Sequence, residues 1–321
     1  MTIRVWLLIK SVLLCFVVSS AAFAQDGAAP PLSLADLDAL IEQDNETAPT
    51  FDQRGLIDLL ALIAFLTLAV VSFLKKNTTL KYATMVVAIA YMGFMKGNLV
   101  SVVHIFALME WSFPLFQYNV AWYVLMLFTV VSTVLWGRLY CGRICAFGSL
   151  TQLMDRLLPS RWRVELPPWL ERRAIYVKYV LLVGVLGYFL VTKDNSVYKY
   201  VEPFWMFTLS GSTVMWTLLA ALLVTTIFIR NFYCRYLCIV GAGLGLLSNL
   251  TIFGIKRWQQ CNTCKICENA CEWGAIQGPK ISVTECVRCD DCEILYDDED
   301  KCPHWLMLKK TTAKLEASKA P

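Results

Sequence analysis

The chain has 321 residues, of which 57% are hydrophobic and only 17% charged, with thirteen cysteines and a net charge of +4. A mean hydropathy of +0.54 is too apolar for an ordinary soluble domain and points to a membrane protein. Only two histidines, His104 and His304, are present, and no phosphate loop, dinucleotide fingerprint or Ser/His/Asp arrangement occurs. The chain therefore reads as a component of a larger system rather than a stand-alone enzyme.

Residues 1–24 read as a secretory signal. Arg4 and Lys10 flank a first apolar stretch, residues 12–18 continue it, and Ala22-Phe23-Ala24 offers an A-x-A cleavage site before Gln25. An uncleaved anchor helix is the alternative, because Lys10 interrupts a single long apolar run. Residues 25–54 carry seven acidic side chains against Arg54 alone and form a short periplasmic segment. On it Leu32, Leu34, Leu37, Leu40 and Ile41 recur at roughly helical spacing, a face for a partner or for the membrane surface.

Residues 55–255 read as a membrane core. Four apolar spans, at 56–74, 120–136, 174–191 and 213–229, approach the ~20 residues that cross ~30 Å of hydrocarbon. A fifth, 82–108, carries Lys96, Asn98 and His104 and is read as one tilted or irregular helix. Charge within a membrane is costly, so Lys96 and His104 are candidates for holding a quinone head group or relaying protons. The plainer reading is a snorkelling lysine beside a capping histidine.

Basic residues follow the first span (Lys75, Lys76, Lys81), the third (Arg138, Arg143, Arg156, Arg161, Arg163, Arg172, Arg173) and the fifth (Arg230, Arg235, Lys256, Arg257). With five alternating spans all three groups fall on one side, and an excess of Lys and Arg marks the cytoplasm. The segment 25–54 then lies outside, as the signal requires, in a bacterial inner membrane. Topology accounts for the basic loop 138–173 without nucleic acid. Glu110 and Glu202, in the outer loops, read as solvated or pairing residues. His104 and His304 fall on opposite sides, which excludes a bis-histidine haem.

Two copies of Tyr-Cys-x3-Cys-x2-Gly punctuate the core. They are Tyr140-Cys141-Gly-Arg-Ile-Cys145-Ala-Phe-Gly148 and Tyr233-Cys234-Arg-Tyr-Leu-Cys238-Ile-Val-Gly241. Each follows an apolar span, and their spacing suggests a duplicated two-helix unit. Cysteines four apart share one face of a helix, so Cys141, Cys145, Cys234 and Cys238 converge if the halves pair. They would hold a further cluster or metal, form redox-active thiol pairs, or pack as small apolar side chains.

Residues 256–305 carry the densest chemistry. One run is Cys261-x2-Cys264-x2-Cys267-x3-Cys271, and the next is Cys286-x2-Cys289-x2-Cys292-x9-Cys302-Pro303. Three thiolates at this spacing wrap three corners of a cubane, and in two-cluster ferredoxins the fourth cysteine of each run serves the other cluster. Cys261, Cys264, Cys267 and Cys302 are thus assigned to one [4Fe–4S] cluster, and Cys286, Cys289, Cys292 and Cys271 to a second. Structural zinc favours paired C-x2-C spacing instead. A cytoplasmic setting keeps these thiols reduced and free for metal. The fold expected is an α-helical membrane protein of about five spans after a signal, with a C-terminal α+β 2[4Fe–4S] ferredoxin-like domain. A polar tail at 306–321 is expected to fray.

The two Tyr-Cys-x3-Cys repeats, together with Glu285-Cys-Val-Arg-Cys-Asp-Asp-Cys-Glu-Ile-Leu-Tyr-Asp-Asp-Glu-Asp-Lys-Cys-Pro303, resemble the membrane polyferredoxins of the NosR/NirI type, with NapH-like proteins as more distant relatives. The resemblance runs from about residue 55 to 305. It implies a protein that carries electrons across the cytoplasmic membrane in support of denitrification, between cytoplasmic clusters and quinone or a periplasmic flavoprotein or metalloenzyme. A redox-sensing regulator or a metalloenzyme-maturation factor is the alternative. Two departures stand out. Ala146 and Ile239 replace the proline that typically follows the family's Cys-x3-Cys, and the stretch before the first span is too short for the family's periplasmic flavin domain, which places the flavin on a partner.

Overall fold

The computed structural model describes residues 53–319, apart from 114–118, 159–162, 165–166, 194–197, 256–260, 262–263, 265 and 278–279. The expected signal and nearly all of segment 25–54 lie outside the described residues. The compact unit considered below is Ile57–Pro321.

Helices dominate it. α1 (Gln53–Lys75) ends where Lys76 takes a left-handed φ of 48°. Asn77 then starts α2 (Thr78–Ala88), its side-chain oxygen accepting from the Thr79 amide at 2.9 Å; this is an ordinary N-cap. α2 runs on into π-helical turns over Ile89–Met95. There the sequence reading of 82–108 as one helix fails. Gly97 adopts φ +60°, and the chain is non-helical to Ser101, which starts α3 (Val102–Met109). The Ser101 hydroxyl accepts from Val103 N, and His104 Nδ1 accepts from Ser101 N, a reciprocal cap that fixes the new helix start.

α4 (Val120–Trp136), α5 (Ala146–Leu157), α6 (Pro168–Thr192), the one-turn α7 (Tyr198–Val201), a 3-10 turn at Pro203–Thr208, α8 (Thr213–Phe228) and α9 (Ile239–Leu247) complete the apolar part. Among the described residues three helices are long and apolar enough to cross a membrane, Gly55–Lys75, Thr78–Met95 and Trp169–Thr192. Val120–Trp136, Thr213–Phe228 and Ile239–Leu250 are apolar but shorter. α3, α6 and α9 bury Val102, Phe106, Leu182, Val185, Phe189 and Ile239 together, with the Phe106 and Phe189 rings stacked at 4.1 Å.

The cysteine-rich part is small and mixed. α10 (Ile266–Ala270) precedes an antiparallel pair, β1 (Ile276–Gln277) and β2 (Lys280–Ile281), with Ile276 opposite Ile281. α11 (Asp291–Asp297) and α12 (Pro303–Lys319) follow. The tail expected to fray is helical as far as Lys319. Pro303 suits a first helical turn, and the lysines, leucines and alanines beyond it are good helix formers.

Candidate metal centres

The eight cysteines of the two C-terminal runs surround two adjoining cavities. Cys261, Cys264, Cys267 and Cys302 line one of about 990 Å³. Cys271, Cys286, Cys289 and Cys292 line a second, tight one of about 10 Å³. Cys292 borders both. The last cysteine of each run therefore faces the other run's site.

Local chain geometry explains how. In the second run Arg288 and Asp290 both take left-handed backbone, φ 55° and 65°. That winding turns the amides of Arg288 and Asp291 onto the sulfurs of Cys286 and Cys289, an anion-cradling arrangement of backbone N–H groups. The acidic insertion closes on itself. The Asp298 carboxylate accepts from the amides of Asp300 and Lys301 at 3.1 Å, and its carbonyl accepts from Cys302 N at 2.9 Å. Cys302 is thereby carried back to the first cavity.

Each membrane Tyr-Cys-x3-Cys copy is a single π-helical turn, Tyr140–Ile144 and Tyr233–Leu237. The turn stops at a cysteine in extended backbone that begins α5 or α9. The two cysteines of a copy thus do not share the face of one regular helix, as i, i+4 spacing suggested. Cys238 Sγ instead accepts from the Gly241 amide at 3.2 Å, and the Gly148 amide bonds to Cys145 in the same way. The glycine three residues beyond is a matter of space. A Cβ at Gly148 would lie 2.6 Å from the Cys141 carbonyl, and one at Gly241 would lie 2.8 Å from an Arg138 nitrogen.

The four thiols do converge. Burial first, then repulsion from the neighbouring thiols, pushes Cys145 and Cys234 far above the ordinary thiol range and Cys238 up to about 12. Cys141 and Cys234 also pack on buried Trp273 and Val287, in one apolar cluster with Cys271 and Cys289. The four-thiol site therefore abuts the second cavity of the ferredoxin-like part.

Among the described residues no three His, Cys, Asp or Glu side chains close on a point where they would grip a single metal ion. An iron–sulfur cluster is bulkier, and its ligands stand further apart. The donor set at all three sites is thiol sulfur, which suits such clusters. Buried N–H donors that have no partner among the described residues lie beside them: Trp273 Nε1, Arg138 Nε, and Arg288 Nε and Nη1. Cluster sulfur is a natural acceptor for such donors, so the residues fit the group.

The basic residues read above as topology signals also contact the cysteine-rich part. Arg143 forms a buried ion pair with Asp290 and donates to Ser72 Oγ at 2.7 Å. Lys81 pairs with Asp291 at 2.8 Å and Lys76 with Glu293 at 2.8 Å, and Lys178, which was not among those signals and lies within α6, pairs with Glu285. A signal was present in the sequence, since Glu285, Asp290, Asp291 and Glu293 interleave with the second cysteine run.

Lys96 and His104 have separate partners. Lys96 pairs with Asp58 at 2.6 Å, while His104 stacks on Trp122 at 5.1 Å and caps α3. Glu110 pairs with Lys193, as a pairing residue should. Glu202 is not solvated. It is 2% exposed, accepts from the Ser101 hydroxyl and from Val102 N at 2.8 Å, and burial pushes its carboxyl up to about 7.

A family model described as a 4Fe-4S binding domain matches residues 118–165 and 212–257, each holding one Tyr-Cys-x3-Cys copy. The NosR model matches residues 259–313, which hold both long cysteine runs. The Regulatory protein NosR of Stutzerimonas stutzeri is 32% identical over 81% of this chain and 39% of its own length. Protein NirI of Paracoccus denitrificans is 35% identical over 52% of this chain and 26% of its own length. A Regulatory protein NosR sequence from Pseudomonas aeruginosa is 37% identical over 26% of this chain and 87% of its own length. The chain spans only about two-fifths of the length of the first of these relatives. No solved structure matches it. With both kinds of cysteine motif matched, the chain belongs to the NosR/NirI-type family of 4Fe–4S-binding proteins.

Proposed function

We propose that this protein transfers electrons through iron–sulfur clusters in a bacterial inner membrane, in support of a denitrification enzyme. Cys261, Cys264, Cys267 and Cys302 would hold one [4Fe–4S] cluster, and Cys271, Cys286, Cys289 and Cys292 the second. Cys141, Cys145, Cys234 and Cys238 would hold a further metal centre. Such clusters, when bound, accept and release one electron at a time. The chain's own residues position them: the 286–292 loop directs amides at sulfur, and Trp273 and Val287 exclude water between neighbouring sites. The observation that carries the reading is the continuity of the thiol sites. Cys292 borders both ferredoxin-type cavities, and Cys271 and Cys289 share an apolar cluster with Cys141 and Cys234.

In this reading five spans cross the membrane with the ferredoxin-like domain on the cytoplasmic face, where the basic loops meet it. Electrons pass on to quinone or to a periplasmic flavoprotein or metalloenzyme. Anaerobic purification with iron and sulfide analysis tests it. Two cubanes account for about eight iron atoms per chain, and the four-thiol centre adds iron above that. Zinc in place of iron under strict anoxia would reject the proposal. A regulatory or maturation role is the second reading, favoured by the name Regulatory protein carried by two of the relatives. Sustained reoxidation of the reduced clusters by a purified partner separates electron transfer from that role.

A further inference from the structure

Arg138 lies just before the first cysteine turn and Arg143 within it, and both are buried, at 2% and 1% exposure, yet their charges are met differently. Arg143 forms a buried ion pair with the Asp290 carboxylate, which also lies in the field of Arg288. Arg138 donates through Nη1 to the carbonyl of Thr284 at 2.8 Å, a neutral acceptor. Its nearest carboxylate, Glu285, is 4.0 Å away and already bonded to Lys178 and to the Tyr179 hydroxyl. Among the described residues Nε of Arg138 has no hydrogen-bond partner. Its other branch, Nη2, lies 3.9 Å from Cys141 Sγ and over Gly241, against Cys238.

A guanidinium is not deprotonated in proteins, and a buried charge is not tolerated without a counter-charge. Lys178 and Arg138 share one carboxylate, so one positive charge in this junction faces the thiols unmatched. Four neutral thiols, or two disulfides, would leave it so. Four thiolates around an iron–sulfur core carry net negative charge and would match it.

We propose that Arg138 is the counter-ion of an anionic metal centre held by Cys141, Cys145, Cys234 and Cys238, and that it sets this centre's reduction potential while tying it to the second cysteine run through Thr284. The inference rests on the reading of that site as a metal centre. Arg138 is a positioning residue and is not itself oxidised or reduced. With both sites loaded, an electron passed between the second-run site and the four-thiol site would oxidise one centre and reduce the other, with no bond broken and no proton moved. The positive charge favours the reduced, more negative form of the four-thiol centre.

The test uses the full-length protein, purified without oxygen, with iron analysis and a redox titration followed by electron paramagnetic resonance. Cys234→Ser identifies the centre by its loss. Arg138→Gln should keep the iron content and shift that one centre to a more negative potential, while Arg138→Lys, which keeps the charge, stays near the wild type. An unshifted potential in an iron-complete Arg138→Gln protein overturns the inference and leaves the metal reading standing. Unchanged iron in Cys234→Ser removes the metal reading, and the inference with it. Should Arg138→Gln fail to assemble, Glu285→Gln supplies the opposite sign. Removing that anion must move the same centre to a more positive potential, and no movement rejects the role of Arg138.

Discussion

Gly142 lets two parts of the chain touch. A Cβ there would run into the carbonyl oxygen of Val287, which lies between the ligand candidates Cys286 and Cys289. Backbone cannot retreat as a flexible side chain can, so Gly142→Ala should cost about 1–3 kcal/mol, the range of overpacked sites. Thermal unfolding of the detergent-solubilised protein would measure it, with the second-run cluster's spectrum disturbed first. The other repeat has Arg235 at the equivalent position, paired with Glu171, so the duplication is not symmetric where it meets the cysteine-rich part. Glu202 supplies a pH dependence. Burial holds its folded pKa at about 7, above the ordinary carboxylate value near 4.3. Its contribution to stability is therefore complete at low pH and declines as pH rises from the unfolded pKa towards the folded one. Glu202→Gln should flatten that part of the melting-temperature profile between about pH 4 and 7. An identical slope in wild type and variant would contradict the assignment.

At the scale of elements, the helix break at 97–101 and the short turns at 198–208 are tied to the cysteine turns. The Val100 amide donates to the Tyr140 hydroxyl at 2.8 Å, and the Tyr233 hydroxyl donates to the Val201 carbonyl at 3.3 Å. Each motif tyrosine thus serves the segment leading into its own repeat. Irregular backbone survives in an apolar setting only where its polar groups find partners inside the protein. Tyr140→Phe strips a buried amide of its acceptor and should cost about 1–3 kcal/mol. Tyr233→Phe, which gives up a longer bond to a carbonyl, should cost less. Melting temperatures of the two variants give the order, and hydrogen exchange at Val100 should rise in the first alone.

For the molecule as a whole, the ion pairs decide how the cysteine-rich part sits on the helices. Arg143 and Asp290 are 1% and 0% exposed in their side chains, whereas Lys76 and Glu293 are 39% and 24% exposed. Breaking a buried pair by removing one partner costs about 3–5 kcal/mol, because the other charge stays buried. An exposed pair contributes less than about 1 kcal/mol and is screened by salt. Arg143→Met should therefore lose the second-run cluster during purification, while Lys76→Met retains it. Equal iron content in both variants would show that docking does not depend on the buried pair.

What the amino-acid sequence determined by itself is what short-range chemistry can express. Thiols two residues apart reach one cluster wherever the chain goes, and apolar runs of membrane length announce themselves through composition. The duplicated Tyr-Cys-x3-Cys turn was visible as a repeat, and the spacing of the eight cysteines proposed their partition between two clusters, while the structure shows Cys261, Cys264, Cys267 and Cys302 lining one cavity and Cys271, Cys286 and Cys289 another. The break at Gly97 was less legible, because the apolar pattern runs through it and only a left-handed glycine followed by a capping serine marks it. Other features belonged to the tertiary structure alone. Arg143 and Asp290 lie 147 residues apart, and although acids interleave with the second cysteine run, nothing in the sequence says which basic residue meets which of them. In the sequence Arg138 was one of many basic residues read as topology signals. Only folding, by burying it against Cys141 and leaving Glu285 to Lys178, made its charge a demand for an anion, because the cost of a charge depends on what surrounds it and not on its place in the chain.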